Sequence, residues 1–174
     1  SAVNGSIAGI FGASGQSCVA GSRLYLHESI ADEFLDKILN LASKIKLGDP
    51  LHEETQMGPL ATLGQMNLIE NEISNAKAQG AKILHGGKRP SNPNGGWFYE
   101  PTIVDCHDQK LKIVDTELFG PVLSVIRFKS EEEVIKLAND TKYGLAAGVF
   151  TKNGARSLRV TKALRAGIVW VNTY

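Results

Sequence analysis

Apolar residues recur every three or four positions along four stretches of the chain, which is the spacing of one face of an α-helix. Three of these stretches open with a hydroxyl side chain followed three residues later by an acid or an amide, a pattern typical of a capping box. The pairs are Ser29 with Asp32, Thr62 with Gln65, and Ser130 with Glu133. The pattern predicts four helices, which begin near Ser29, Thr62, Ser130 and Gly154 and end near Ile45, Gly80, Gly144 and Leu164.

The same periodicity predicts which helix faces pack inward, because apolar side chains on one side of a helix are buried against the core. The predicted inward faces are Phe34, Ile38, Leu41 and Ile45 in the first helix, Ile69, Ile73 and Ala76 in the second, and Val134, Leu137 and Ala138 in the third.

Short runs rich in β-branched residues lie between the predicted helices. They cover residues 23–27, 81–85, 98–104, 121–128, 145–151 and 168–171. Strands that alternate with helices indicate parallel pairing. The sequence therefore predicts an α/β fold, a mainly parallel twisted sheet flanked by helices. One long turn-rich loop is expected over residues 87–96, and no linker divides the chain.

Composition excludes several classes of partner. The 174 residues are 43% hydrophobic and 21% charged, with a formal net charge of +1, which suits a domain with a buried core. There is no run of like charges that would indicate a nucleic-acid or membrane partner, and no apolar run of the ~18 residues that a membrane span needs. The two cysteines are far apart, which argues against a disulfide framework and suits a reducing compartment. We expect a cytoplasmic protein.

The common cofactor and metal motifs are absent. No two of the eighteen glycines are separated by a single residue, so the chain contains no G-x-G-x-x-G loop. The four histidines are scattered without metal-ligand spacing, and we expect no metal site.

The segment around Cys18 is dense in small residues, with Gly15 and Gly21 on either side. Small neighbours would let a carbonyl carbon approach the thiol, which suits a nucleophile. From composition alone a buried structural cysteine is the commoner outcome, since free cysteines are among the most buried residues. Both interpretations stay open on these residues alone.

The same segment resembles the cysteine signature of the NAD(P)-dependent aldehyde dehydrogenase superfamily. The matching positions are Phe11, Gly15, Gln16, Cys18, Ala20 and Arg23. Further stretches that resemble the family follow in order: residues 47–50 with 57–59, then 117–122, 144–150 and 166–172. Collinear matches from end to end identify the chain as resembling the catalytic, cysteine-bearing domain of this family.

The resemblance implies a role for each matching residue. Cys18 would be the nucleophile that forms a thiohemiacetal and then a thioester, with its backbone N–H donating to the oxyanion. Glu117 would bind the hydroxyls of the nicotinamide ribose of NAD or NADP, and Phe119 would pack near the nicotinamide. Ser17 and Val19 would line the aldehyde pocket. Without the resemblance, Glu117 would be read as an exposed acid at a helix end and Phe119 as a core residue.

The resemblance also implies what lies outside residues 1–174. The family's cofactor-binding domain, general-base glutamate, oxyanion asparagine and C-terminal oligomerisation segment have no counterpart here. We therefore expect an isolated catalytic domain without turnover, from a parent that oxidises a small aldehyde to an acid as a homodimer or homotetramer. The alternatives are a CoA-acylating or semialdehyde-specific relative, a Cys-His hydrolase, or an enzyme-derived binding or structural protein.

Overall fold

The computed structural model describes residues 2–91 and 95–174, so residues 92–94 of the predicted turn-rich loop lie outside the described residues. Helices and strands alternate along most of the chain. The helices are α1 (Ala2–Phe11), α2 (Glu28–Ala42), α3 (Leu63–Ala78), α4 (Lys112–Asp115), α5 (Glu131–Asn139) and α6 (Gly154–Ala163). The strands are β1 (Arg23–His27), β2 (Lys82–His85), β3 (Thr102–Asp105), β4 (Val122–Phe128), β5 (Ala146–Val149) and β6 (Ile168–Val171).

The strands form two sheets, and most of their pairings are parallel. The larger sheet has the order β1-β4-β3-β2, with β4 parallel to both of its neighbours and β2 antiparallel to β3 at one edge. Strands β5 and β6 pair in parallel as a separate two-stranded sheet. The predicted α/β fold with a mainly parallel sheet flanked by helices is confirmed.

Strand β4 is buried on both faces, as is usual for the central strand of a parallel sheet. Val122 and Ile126 belong to an apolar cluster under α3 and α4, whereas Leu123 and Val125 belong to a second cluster under α1 and α2. The alternation of side chains along the strand thus divides the core into two layers.

The pairing of β1 with β4 sets the position of the candidate site. The cysteine segment leads directly into β1, and residues 117–121 lead directly into β4. These strands are parallel neighbours, with Arg23 opposite Ser124. Two segments that precede neighbouring parallel strands must meet at the same edge of the sheet.

The second and third predicted helices begin at their predicted caps. The Thr62 hydroxyl accepts a hydrogen bond from the backbone N–H of Gln65, and the Ser130 hydroxyl accepts one from that of Glu133. Helix α3 buries Ile69, Ile73 and Ala76 as predicted. Helix α5 ends at Asn139, well before Gly144, and its predicted inward residues Val134, Leu137 and Ala138 are only half buried.

The prediction for the first helix is wrong in three respects: its cap, its end and part of its buried face. Helix α2 starts at Glu28, and its N-cap is His27, whose ring Nδ1 accepts from the backbone N–H of Ser29. Strand β1 runs straight into the helix, so the cap falls on the last strand residue instead of on Ser29. The helix ends at Ala42, before Ile45, and the predicted stripe residues Phe34 and Leu41 are only half buried. The fully buried residues are Ala31, Leu35, Ile38 and Ala42, because two alanines let the helix lie close to the sheet.

Two further elements differ from the pattern. The strand predicted over 98–104 begins only at Thr102, since Pro101 has no N–H to donate to a ladder. The four-residue helix α4 was too short to produce a periodic signal. Over the described ranges, no helix combines the length and apolar character needed to cross a membrane.

Candidate active site

Cys18 lies in a turn that follows a left-handed stretch of backbone. After α1, the residues Ala13, Ser14 and Gly15 have φ angles of 50°, 57° and 70°. Two of these are not glycine, and each such conformation costs roughly 1–3 kcal/mol unless the surroundings hold it. The Ser14 hydroxyl donates to the carbonyl of Gly58 at 2.9 Å, which anchors this stretch. Strained backbone held in this way is common next to functional residues.

The turn places the thiol of Cys18 on the surface. The backbone N–H of Ala20 donates to the carbonyl of Ser17 at 3.0 Å, so Cys18 and Val19 occupy the centre of a four-residue turn. Cys18 is exposed and free. The alternative of a buried structural cysteine is therefore wrong for this residue.

Cys106 has the opposite environment. It is buried directly after β3, and burial raises the pKa of its thiol to about 11. A thiol with this pKa carries little thiolate near neutral pH and is a poor nucleophile. The structural cysteine of the chain is Cys106.

The cysteine segment touches the segment that carries Glu117. A Cβ added to Gly15 would lie 2.0 Å from the carbonyl oxygen of Gly120, so only glycine permits this backbone contact. Gly15 is three residues after Gly12 and three before Cys18, and Gly120 is three residues after Glu117. The structure thus brings two of the resembling stretches together.

Several contacts hold residues 117–120 in place. Leu118 is buried, and its carbonyl accepts a hydrogen bond from the side-chain amide of Gln65. The backbone N–H of Glu117 donates to the hydroxyl of Tyr143 at 3.3 Å. The Gly120 backbone packs against Ile69 of α3. Helix α3 and Tyr143 therefore hold this segment in place.

Phe119 and Glu117 both face outward from this support. Phe119 has φ of 49° and its side chain is 39% exposed, which excludes the reading of Phe119 as a core residue. Glu117 is exposed just beyond the C-terminal end of α4, and within residues 2–91 and 95–174 its carboxylate forms no ion pair. An uncommitted carboxylate and an exposed aromatic ring can bind the two hydroxyls and the flat ring of a nucleotide cofactor. The alternative of Glu117 as an exposed helix-end acid also fits this position.

Ser17 and Val19 flank the thiol and are half buried. The Ser17 hydroxyl accepts from the backbone N–H of Val19 at 3.4 Å, and the Val19 carbonyl accepts from the hydroxyl of Tyr174 at 2.8 Å. Two surface grooves, of about 530 and 460 Å³, lie between α1 and α2 and beside Arg165, and neither is lined by Cys18, Ser17 or Val19. The role of Ser17 and Val19 in an aldehyde pocket stays a prediction.

No contact could be predicted from the sequence for several residues that support the site, among them Gln16, which was indicated only as part of the cysteine signature. The side chain of Gln16 accepts from the backbone N–H of Ala61 at 2.9 Å, which ties the cysteine segment to the stretch around 57–59. Tyr143 and Tyr174 reach the site from positions remote in the sequence, 26 and 155 residues from their hydrogen-bond partners. The only signal for these two tyrosines was that each lies within two residues of a resembling stretch.

His27, the histidine nearest to Cys18 in the sequence, is engaged by other residues. The ring of His27 contacts Ser29 and the carbonyl of Lys129, so it is engaged at the end of β1. Among the residues that the structure describes, no three His, Cys, Asp or Glu side chains are grouped so that they could hold a metal ion.

Comparison with known proteins agrees with the geometry. The model of the Aldehyde dehydrogenase family matches residues 1–174. A (Z)-2-((N-methylformamido)methylene)-5-hydroxybutyrolactone dehydrogenase of Acinetobacter baylyi is 50% identical over 100% of this chain and 36% of its own length. A chloroplastic betaine aldehyde dehydrogenase of Atriplex hortensis is 48% identical over 98% of the chain and 34% of its own length. The chain spans about a third of the length of these relatives.

Solved structures show the same fold. A betaine aldehyde dehydrogenase of Staphylococcus aureus in complex with NAD+ superposes with a TM-score of 0.97 and 42% identity, over 99% of this chain and 35% of the other. A variant of that enzyme, also with NAD+, carries a BME-modified cysteine. Because the family match covers every residue and the fold agrees at this level, the chain belongs to the aldehyde dehydrogenase family.

Proposed function

We propose that residues 1–174 form the catalytic domain of an NAD(P)-dependent aldehyde dehydrogenase, which oxidises an aldehyde to a carboxylic acid with Cys18 as nucleophile. The observation that carries the proposal is the backbone contact between Gly15 and Gly120, which joins the turn bearing an exposed thiol to the segment bearing Glu117 and Phe119.

In the proposed reaction, the thiolate of Cys18 attacks the aldehyde carbon and forms a tetrahedral thiohemiacetal. The backbone N–H of Cys18 donates to the oxygen that gains negative charge, which lowers the barrier to the adduct. Oxidation of the adduct leaves a thioester on the same sulfur, and water hydrolyses the thioester to the acid and free thiol. A free, exposed Cys18 in a turn made of small residues supports this role.

The residues near Gly120 fit a nicotinamide cofactor. Glu117 offers two acceptor oxygens for the adjacent hydroxyls of a ribose, and Phe119 offers an exposed aromatic face. NAD or NADP, when bound, supplies the two-electron acceptor. The NAD+ complexes of the Staphylococcus aureus relative support this assignment.

Three properties of the whole protein are part of the proposal. We infer a homodimer or homotetramer, with the cofactor-binding domain and the oligomerisation segment supplied by chain beyond these residues. We infer a cytoplasmic location, because both cysteines are free. The Atriplex hortensis relative is described as chloroplastic, so subcellular fractionation tests this point.

The proposal is tested with Cys18→Ala in the full-length enzyme. We expect the variant to form no NAD(P)H with any aldehyde, because no thiohemiacetal can form, while NAD(P) binding measured by calorimetry is retained. Cys106→Ala is the matched control, since Cys106 is buried away from the surface, and it should keep nearly all activity. Undiminished NAD(P)H formation by Cys18→Ala would refute the proposal. A CoA thioester as the product of the enzyme with Cys18 intact would identify a CoA-acylating relative instead.

A further inference from the structure

The hydroxyl of Tyr174 reaches the turn that carries Cys18. It donates to the carbonyl of Val19, the residue after the cysteine, at a distance of 2.8 Å. The other hydrogen bonds to residues 17–20 are donated by Val19, Ala20 and Ser22, which lie in or next to the turn. Among the described residues, Tyr174 is therefore the one donor from a distant part of the chain that holds this turn.

The bond fixes a peptide unit at both ends. The carbonyl of Val19 is held by Tyr174, and the N–H of Ala20 in the same peptide unit is held by the carbonyl of Ser17 at 3.0 Å. Because a peptide unit is planar and rigid, fixing both groups sets its orientation. The preceding peptide unit joins Cys18, which bears the thiol, to Val19. Only two backbone dihedral angles, those of Val19, separate its orientation from that of the fixed unit.

The ring of Tyr174 packs against three glycines. A Cβ on Gly9, Gly21 or Gly148 would lie 2.6, 3.2 or 2.5 Å from a ring carbon. These glycines belong to α1, to the segment after Cys18 and to β5. Trp170 of β6 flanks the ring with a centroid distance of 5.0 Å. The ring thus has little freedom, and its hydroxyl is aimed at Val19.

The phenol remains a donor under ordinary conditions. Burial raises the pKa of Tyr174 above its usual value, so the hydroxyl keeps its proton at neutral and mildly alkaline pH. The phenol can therefore donate to Val19 at neutral and mildly alkaline pH.

We propose that Tyr174 is a positioning residue for Cys18: it holds the Val19 carbonyl and thereby sets the direction of the nucleophile and of its backbone N–H. This role rests on the proposed function of Cys18. It predicts that loss of one hydroxyl, with the ring kept, slows chemistry at the thiol without changing the fold.

The test is Tyr174→Phe in the full-length enzyme. We expect kcat, and the single-turnover rate of NAD(P)H formation, to fall roughly tenfold, between the effect of one lost hydrogen bond and that of a misplaced reacting group. The aldehyde KM, the affinity for NAD(P) and the melting temperature should stay within the small range of a neutral surface substitution. A residue that merely stabilised the fold would lower the melting temperature and leave the kcat of the folded enzyme unchanged.

Tyr99→Phe is the matched control. Tyr99 is buried, and its hydroxyl has no hydrogen-bond partner among the described residues, so its loss should leave kcat unchanged. If Tyr174→Phe does not fold, Gly148→Ala replaces it, because the added methyl group would displace the ring while the hydroxyl is retained. Since this displacement also lowers stability, the variant is judged by the kcat of the folded enzyme alone, which should fall if the position of the hydroxyl matters and stay at the wild-type value if it does not.

The outcome separates this inference from the proposed function. A wild-type kcat in the folded Tyr174 variant, with Cys18→Ala inactive, overturns the positioning role alone. An active Cys18→Ala enzyme overturns the proposed function, and with it the basis of this inference.

Discussion

Glu117 and Phe119 flank Leu118 in the sequence, and the three residues alternate between exposed and buried positions. Leu118 is buried and binds Gln65 through its carbonyl, which fixes the backbone between the two outward-facing side chains. Phe119 takes a left-handed conformation, with φ of 49°, that a bulky residue rarely adopts. The buried leucine thus holds a strained neighbour, and both flanking side chains remain free to bind a ligand.

The first residue-scale prediction concerns the carboxylate of Glu117. Glu117→Gln in the full-length enzyme replaces one of two acceptor oxygens with a donor, which weakens its grip on the ribose hydroxyls. We expect single-turnover NAD(P)H formation to slow by up to about a hundredfold, since misplacement of ~1 Å can have this effect. Alkylation of Cys18 should proceed at the wild-type rate.

Glu53→Gln is the control for this prediction. Glu53 is also exposed, and within the described residues it forms no ion pair, so the change alters charge alone. An unchanged rate in the Glu117 variant would show that the carboxylate is an exposed helix-end acid with no contact to the cofactor.

At the scale of elements, the start of a helix could be predicted where its capping contact is local in the sequence. Thr62 and Ser130 were found from sequence because a cap is a contact between residues three apart. The cap of α2 was missed because His27 belongs to the strand before it. Periodicity alone could not choose between Phe34 and Leu35 as the buried neighbour, since both lie on overlapping helical stripes and the sheet decides.

The candidate site was predictable in part for a related reason. Cys18, Glu117 and Phe119 lie in stretches that resemble a known family, so their positions followed from the sequence. Exposure of Cys18 did not follow, because burial is the usual fate of a free cysteine. The contacts of Tyr143 and Tyr174 depend on how distant segments approach each other, and no local pattern records such an approach.

The element-scale prediction uses the contact between the cysteine segment and the start of β4. Gly15→Ala introduces a Cβ 2.0 Å from the carbonyl of Gly120, at a φ of 70°. The left-handed conformation alone would cost an alanine roughly 1–2 kcal/mol. The clash adds to this cost and pushes Cys18 away from Glu117. We expect a lower melting temperature and loss of NAD(P)H formation in the full-length enzyme.

Gly12→Ala is the matched control for that substitution. Gly12 lies in the same short stretch, and a Cβ there meets nothing within 4 Å. Its melting temperature and activity should match the wild type. Equal behaviour of the two alanine variants would show that the Gly15–Gly120 contact does not hold the site together.

The whole molecule has one well-buried part and one exposed part. The four-stranded sheet has apolar clusters on both faces, whereas α5 has no buried residue and α6 buries only Val160. Large apolar side chains are exposed in both parts, and five of them lie around β5, β6 and their helices. These exposed residues are Tyr143, Leu145, Leu158, Ile168 and Val171. Apolar surface of this kind usually marks an interface. Since the chain spans about a third of its relatives' length, further parts of a full-length enzyme are the proposed cover.

The last prediction is that isolated residues 1–174 fold, self-associate and do not turn over aldehyde. Folding is expected because apolar clusters cover both faces of the main sheet. The reactivity of the two thiols with iodoacetamide reports on folding. Cys18 should be labelled in the folded chain, whereas Cys106 should react only after urea unfolds it, since the Cys106 thiol is buried and has a pKa of about 11. Light scattering should detect oligomers, and Leu158→Gln should reduce them by removing an exposed apolar side chain. NAD(P)H formation should be undetectable, because a base for thioester hydrolysis and most cofactor contacts are proposed to lie in other parts of the enzyme. Measurable aldehyde oxidation by the isolated chain would show instead that the site is complete within these residues.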